Sequence, residues 1–453
     1  MLSWDIEHAV RLAQGVAVAE AIDVSDAAEW TGLDRAVREV ARYQPSKLPS
    51  FAWATDRPVR RATWEWDAPL PSVNPSRRRS HPEPTEAEVA LALCHPDGRI
   101  RQAALRRADG LPALLPLIAI RCADWAEPVR TEARSLLRAA LPDVAPDGIG
   151  VLAAVVLRIS GRQRGGVALD LLEAALKAGP APVLDAVLAS EERVVRRLGH
   201  RLAVERKLFS PVRLAVIAAT DGDVVIQDLC ASGALAAVDV TTRDDVLEPL
   251  LRSPYPRVRS AGVTALRRAE RHAEAEPFLT DRSALVRACA RYVLRQAGTD
   301  PAPLYRALCA GTDVPPGAPV GLAECGSRDD ADLLWPLTLH PRDGVRTRAV
   351  AGLRLLETVD VARLTVLLDD PAPGVVRETA SALVPWVHRL SPAELTERLA
   401  PDRPRHVRVG AFRLLAARGG EAFGEAARRL SGDPDAKLRA NARAVLGYWG
   451  TSR

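Results

Sequence analysis

The sequence predicts an all-α fold: an α-solenoid of stacked antiparallel helix pairs with an N-terminal helical cap. Three observations predict it. Of the 453 residues, 47% are hydrophobic but only 4% aromatic, with a single Met. The core must therefore be built from Ala, Leu and Val, which suits closely packed helices. Thirty-five prolines divide the chain into short elements. One short motif recurs along most of the chain at a spacing near 30 residues, the mark of stacked supersecondary units.

The elements follow in order. Residues 1–44 read as two amphipathic helices, about 4–21 and 26–43, with 4 basic and 8 acidic side chains. An atypical first pair of this kind suits an N-terminal cap. Residues 45–85 hold eight prolines, the triplet Arg77-Arg78-Arg79 and the aromatics Phe51, Trp53, Trp64 and Trp66. A purely flexible linker does not usually carry such aromatics, so this stretch is expected to be a strap lying on the protein or a docking motif. Residues 86–450 form the repeat region.

The motif is an aliphatic residue, then Arg, then a small residue three positions later, then Leu or Val. It occurs at Arg101, Arg130, Arg259, Arg287, Arg346, Arg377, Arg408 and Arg439, and more weakly at Arg196 and Arg213. The last four copies of the main set are each 31 residues apart. Val258, Gly262 and Leu266 fall at i, i+4 and i+8, one face of a helix. A breaker such as His95-Pro96, Ser253-Pro254 or Asp433-Pro434 precedes each copy, and another short apolar stretch precedes the breaker. The unit is thus helix A, turn, helix B, and its apolar face is covered only by its neighbours.

Six residues before the Arg stands Asp124, Asp281, Asp402 or Asp433. This Asp-x5-Arg spacing, with Pro after the turn, resembles HEAT repeats. The short unit and the closing SGDPDAKLRANARAVLGYWG look like the variety named after phycobilisome lyases. The resemblance implies that the Asp caps the turn, that the Arg residues form a structural ladder between units, and that helices B lie on the concave side. It implies no activity, because one fold hosts many functions.

Charge is segregated within the repeat. The ten helix B segments, each eleven residues long, hold 24 Arg and 5 carboxylates, whereas the rest of the chain holds 38 basic and 52 acidic residues. Beyond the ladder, Arg106, Arg134, Arg138, Arg201, Arg267, Arg268, Arg291, Arg295, Arg348, Arg354, Arg413 and Arg443 are expected to line a positive stripe in the groove. Such a surface focuses field on an anionic partner: a protein carrying an acidic or phosphorylated segment, or nucleic acid. Arg serves either through bidentate bonds. The competing expectation is that these side chains pair with helix A carboxylates or complement helix C-termini.

Catalytic patterns are missing. There is no phosphate loop, no GxGxxG, no HExxH and no GxSxG. The eight His are isolated and none precedes Glu, which sets the chain apart from the HEAT-repeat hydroxylase that binds two irons through His-Glu dipeptides. No catalytic residue, cofactor or metal site is assigned. HEAT-like alkylpurine DNA glycosylases place a carboxylate and Trp residues in a basic groove; here Asp124-Trp125 and Trp30 with Asp34 are the available pairs, and neither makes a convincing site. The Trp residues of the repeats occupy different positions from unit to unit, unlike a stacking track. The N-terminus lacks a basic segment, no run of 18 apolar residues occurs, and six scattered cysteines are too few for a disulfide scaffold. A cytoplasmic, non-catalytic scaffold or adaptor is the expected function. The alternative is a nucleic-acid-binding HEAT-like protein, including a glycosylase-like one.

Overall fold

The computed structural model describes residues 4–54, 83–236, 238, 239, 241 and 244–450. All regular structure among them is helical. They divide into two compact units: Met1–Ser210 with Gly222–Cys230, and Pro211–Asp221 with Ala231–Arg453.

In the first unit the cap consists of α1 (Trp4–Ala13), α2 (Val18–Ala21) and α3 (Ala27–Tyr43). The first expected helix is interrupted because Gly15 takes φ +88° and ends α1. The hairpins α4 (Glu86–Cys94) with α5 (Gly98–Ala108), α6 (Leu115–Arg121) with α7 (Glu127–Ala140), α8 (Pro146–Ser160) with α9 (Gly166–Ala178), and α10 (Ala181–Leu188) with α11 (Arg193–Glu205) then stack in chain order. Helix α3 packs on α4, α6 and α8. Of the proline-rich stretch, residues 45–54 lie on the first hairpin, with the buried Phe51 ring 5.2 Å from His95 and 6.4 Å from Trp53. Trp64, Trp66 and Arg77-Arg78-Arg79 lie outside the described residues.

The second unit begins with α12 (Pro211–Thr220); the next helix, α13 (Val224–Leu235), is divided between the units. Its further helices are α14 (Asp244–Leu251), α15 (Pro256–Arg268), α16 (Ala284–Gln296), α17 (Pro301–Ala310), α18 (Gly317–Ala323), α19 (Ala331–Leu337) and α20 (Asp343–Leu355). It closes with α21 (Val361–Val366), α22 (Pro373–Leu383), α23 (Pro392–Glu397), α24 (Arg405–Arg418), α25 (Gly420–Leu430) and α26 (Ala436–Gly450). Opposite α16 the first helix is replaced by a 3-10 segment, His272–Thr280, which contains Pro277. Proline cannot donate the N–H an α-helix requires there.

Close approach of the helices requires small residues. A Cβ built on Gly262 of α15 would stand 2.9 Å from Leu250 Cβ and 3.0 Å from Leu251 N, so α14 leaves no room for one. The apolar residues of the motif are buried, with Val258 at 1% exposure and Leu266 at 0%.

An arginine ladder fixes successive hairpins. Arg101 Nε and Nη2 donate to both oxygens of Asp124 in the next turn at 2.8 and 2.7 Å, and its Nη1 donates to the carbonyls of His95 and Pro96 in its own turn. Arg259 joins Asp281 to the Ser253 and Pro254 carbonyls in the same way, and Arg346 joins Asp370 to those of His340 and Pro341. Arg408 bonds Asp433, and Arg287 bonds Glu324 because a Glu at the end of α18 stands in for the Asp. Asp124, Asp281, Asp370 and Asp433 each also accept the backbone N–H two residues on. Among the described residues, Arg130 and Arg439 bond only turn carbonyls.

Arg377 does not join the ladder. In α15 and α20 the ladder Arg lies four residues after the N-cap, Tyr255 or Arg342. In α22 the N-cap is Ala372, so Val376 holds that position and is buried, while Arg377 is one residue late. One residue turns a helix by about 100°, and Arg377 points to solvent with its side chain 66% exposed. Asp402, at the matching place in the next turn, is also exposed. Arg398 and Asp369 form an ion pair there instead, at 2.7 Å.

Three outcomes follow for stability. Arg101→Ala leaves a buried carboxylate short of its partner and should cost about 3–5 kcal/mol in a urea melt, whereas Arg377→Ala should stay within about 0.5 kcal/mol. Gly→Ala inside an open helix gains up to about 1 kcal/mol. Gly150→Ala in α8, where an added Cβ meets nothing within 4 Å, should therefore raise Tm, and Gly262→Ala should lower it. The third concerns acid. Burial raises the Asp223 pKa, but bonds from Arg197, the Val225 N–H and Arg193 outweigh it and hold the carboxyl at about 2; Asp124 and Asp281 are lowered by the same kind of balance. A depressed carboxyl pKa contributes stability above its unfolded value of about 3.9. That contribution is lost as pH falls from about 4 to 2, and Asp223→Asn should flatten the decline in urea midpoint over that window.

Candidate partner-binding face

Helices B present their arginines in a few registers, counted from the ladder residue. Each register does different work.

Four residues on, the side chain turns back to helix A. Arg134 Nε donates to the Cys122 carbonyl at the end of α6 at 3.1 Å, and its Nη2 to the Arg164 carbonyl at 3.2 Å. Arg443 donates to the Ser431 carbonyl after α25 at 3.0 Å. These bonds satisfy carbonyls left open where a helix ends. Arg291 is buried and shares Glu324 with Arg287. Five residues on, the arginines meet neighbouring helices: Arg106 pairs with Glu132 at 3.3 Å, Arg201 with Glu173 and Glu205, and Arg413 donates to Ser381 Oγ at 2.9 Å. Nine residues on, Arg268 bonds the Leu235 carbonyl at 2.8 Å.

Eight residues on, in the last turn of the helix, the register is different. Arg138, Arg267 and Arg295 are exposed and have no hydrogen-bond or ion-pair partner among the described residues. Arg354, in the same register on α20, has only a 3.9 Å approach to Glu378. Arg348, two after its ladder residue, is half-buried and also has no partner among the described residues. The structure therefore divides the twelve stripe residues. Most are engaged within the protein, and three guanidiniums of the second unit, Arg267, Arg295 and Arg354, remain in one register on α15, α16 and α20.

A cleft of about 390 Å³ between α24 and α26 was not anticipated from sequence. Phe412 and Val409 form its apolar side, and Arg413, Lys437 and Asn441 line it. Lys437 precedes its ladder residue and so falls outside the helix B segments; the signal that could have found it is Val409 beside Arg413 at i, i+4.

The carboxylates weighed for base excision are bound up with guanidiniums. Asp124 takes Arg101 in a bidentate pair and Arg121 at 3.3 Å; burial raises its pKa, but these bonds lower it further. Asp34 of the cap is held by Arg121 and, at 3.3 Å, by Arg38. Trp30 is buried, its Nε1 donating to the Val24 carbonyl at 3.0 Å. Trp125 is exposed, with the Arg101 guanidinium 5.7 Å from its ring. Trp335 lies under Arg363 at 4.0 Å and Trp386 beside Arg389 at 5.8 Å, so these rings share no register. His95 and His340 accept backbone N–H groups in their turns, those of Asp97 and Arg342.

Among the described residues, no group of three or more His, Cys, Asp or Glu is placed to hold a metal ion, and no helix is long and apolar enough to cross a membrane. None of the six cysteines is in a disulfide, and burial pushes the Cys94, Cys122 and Cys309 thiols up to about 12.

No protein-family model matches the chain, and no curated protein does. Solved structures do. Kap95p, in a structure describing its induction of the GTP-bound conformation in RanGDP, aligns at 11% identity over 94% of this chain and 62% of its own, with a TM-score of 0.36. Importin beta aligns at 10% identity over 76% of this chain and 52% of its own, with a TM-score of 0.27. A Tumor Overexpressed Gene (TOG) domain array of microtubule polymerases aligns at 10% identity over 92% of this chain and 97% of its own, with a TM-score of 0.23. The chain thus spans about 62% of Kap95p and about half of importin beta. Within each unit the architecture itself is all-α, built from helices packed as successive antiparallel pairs.

Proposed function

We propose that the chain is a non-catalytic binding scaffold that engages an anionic macromolecular partner through the last turns of its helices B. The observation that supports this reading is the register of Arg267, Arg295 and Arg354. A guanidinium that is exposed and has no partner among the described residues, as at Arg267 and Arg295, or only a 3.9 Å approach to a carboxylate, as at Arg354, can form bidentate bonds to carboxylate or phosphate with little internal rearrangement. Repetition of that donor on several helices suits an extended partner better than a small molecule. An acidic or phosphorylated protein segment is the partner this reading favours, and nucleic acid is the alternative. The bound-up carboxylates of Asp124 and Asp34 give no support to base excision. Sparse, mostly buried cysteines outside any disulfide accord with a reducing compartment, and we propose the cytoplasm on that ground.

The test uses a fluorescent twelve-residue peptide rich in Glu and phosphoserine, and a 20-nucleotide single strand. Replacing Arg267, Arg295 and Arg354 together by Ala should weaken peptide binding at least tenfold and leave Tm unchanged. Arg291→Ala should instead lower stability by about 1–3 kcal/mol. Tighter binding of the DNA strand, with a steep dependence on salt, would favour the nucleic-acid reading. Unaltered binding of both probes by the triple variant would refute the proposed face.

A further inference from the structure

The first unit carries a second surface, opposite in charge. Between the loop after α2, the first turns of α4 and α8, and the ends of α5 and α7 lies a groove of about 870 Å³. Its floor is apolar, with Trp30, Leu115, Ile118 and Leu152 buried at the base and Leu136 and Val151 half-buried beside them. The Trp30 ring is fixed by its bond to the Val24 carbonyl, and Val24 itself is exposed along the groove. Among the described residues, no Lys, Arg or His lines it. The charged lining groups are four carboxylates, Glu86, Asp109, Asp143 and Asp147. Three are exposed and Glu86 is half-buried; none is paired with a cation among the described residues.

We propose that this groove docks a cationic amphipathic helix from a partner protein. An apolar floor open to water favours an apolar occupant. The carboxylates decide what surrounds that occupant. They stand on four separate elements: the start of α4, the residue after α5, the turn after α7 and the first turn of α8. A small cation would meet one or two of them. A helix with aliphatic residues at i, i+3, i+4 and i+7 sets that row into the cleft and carries Lys or Arg along both flanks, opposite carboxylates on every side. Acidic helices are repelled by the same rim. This surface is independent of the arginine register on helices B, and neither reading rests on the other.

Fluorescence anisotropy on the full chain tests it, with a labelled 18-residue Leu/Lys peptide as the probe, Leu at i, i+3, i+4 and i+7. The Leu/Lys peptide should bind, and a Leu/Glu peptide of the same pattern and a Lys/Gln peptide of the same charge should each bind at least tenfold more weakly. Charge reversal by Asp143→Lys with Asp147→Lys, and filling of the groove by Ala139→Trp at an exposed position of α7, should each weaken the Leu/Lys peptide at least tenfold with Tm unchanged. Equal binding of the Lys/Gln peptide, equal binding by both variants, or no binding at all overturns the proposal. So does a native oligomer that Ala139→Trp converts to monomer, which would assign the groove to a second copy. Binding seen only after deletion of residues 55–82 would assign the groove to this chain's own segment, and it too overturns the proposal.

Discussion

The fold depends on one guanidinium geometry. A ladder Arg has a planar fork of donors, and two of its edges are used at once. One edge holds the carbonyls of its own turn, and the other grips both oxygens of a carboxylate in the following turn, as Arg101 does between His95, Pro96 and Asp124. The Asp is fixed in turn by a backbone N–H, Ala126 in that unit. Burying a charge in this way is tolerable only when nearly every donor and acceptor is satisfied. The pairing therefore sets both the shape of a turn and its position against the next one. Apolar packing alone would allow helices to slide, because aliphatic contact is non-directional. Directional bonds remove that freedom, and the small residues beneath them, such as Gly262, let the helices come close enough for the bonds to form.

The same residue type then does three jobs, decided by its place on the helix. At the ladder position it joins units. Four or nine residues later it closes the open carbonyls of a neighbouring helix end, as Arg134, Arg443 and Arg268 do. Eight residues later it reaches solvent, with no partner among the described residues at Arg138, Arg267 and Arg295 and only a 3.9 Å approach to Glu378 at Arg354. The excess of Arg on helices B is thus mainly structural, and a count of charges overstates how much of it a partner can meet. The acidic residues of the first unit show a similar division. Asp34 and Asp124 are tied into the network between cap and repeats, while Asp143 and Asp147, at the edge of an apolar groove, are paired with no cation among the described residues.

The primary structure alone indicated the repeat and its hairpin nature, and the arginine ladder only through the resemblance to HEAT repeats. The motif couples an apolar period, a breaker and an Arg at constant spacing, and each of these acts locally. It also indicated the competition between internal pairing and partner binding for the stripe arginines, without deciding it. Tertiary structure decided the rest, since the outcome depends on angles between helices. A single extra residue in the first turn of α22, between its N-cap Ala372 and Arg377, rotated Arg377 out of the ladder and put Val376 in its place. Glu324 replaced the Asp partner of Arg287 from a position that no fixed spacing would reveal. The groove beside Trp30 gathers residues from segments far apart in the chain, from Val18 to Leu152, and no local pattern marks them as neighbours. Spacing along a helix can be read from the order of residues, but which side chains find partners depends on what the stacked neighbours place within reach.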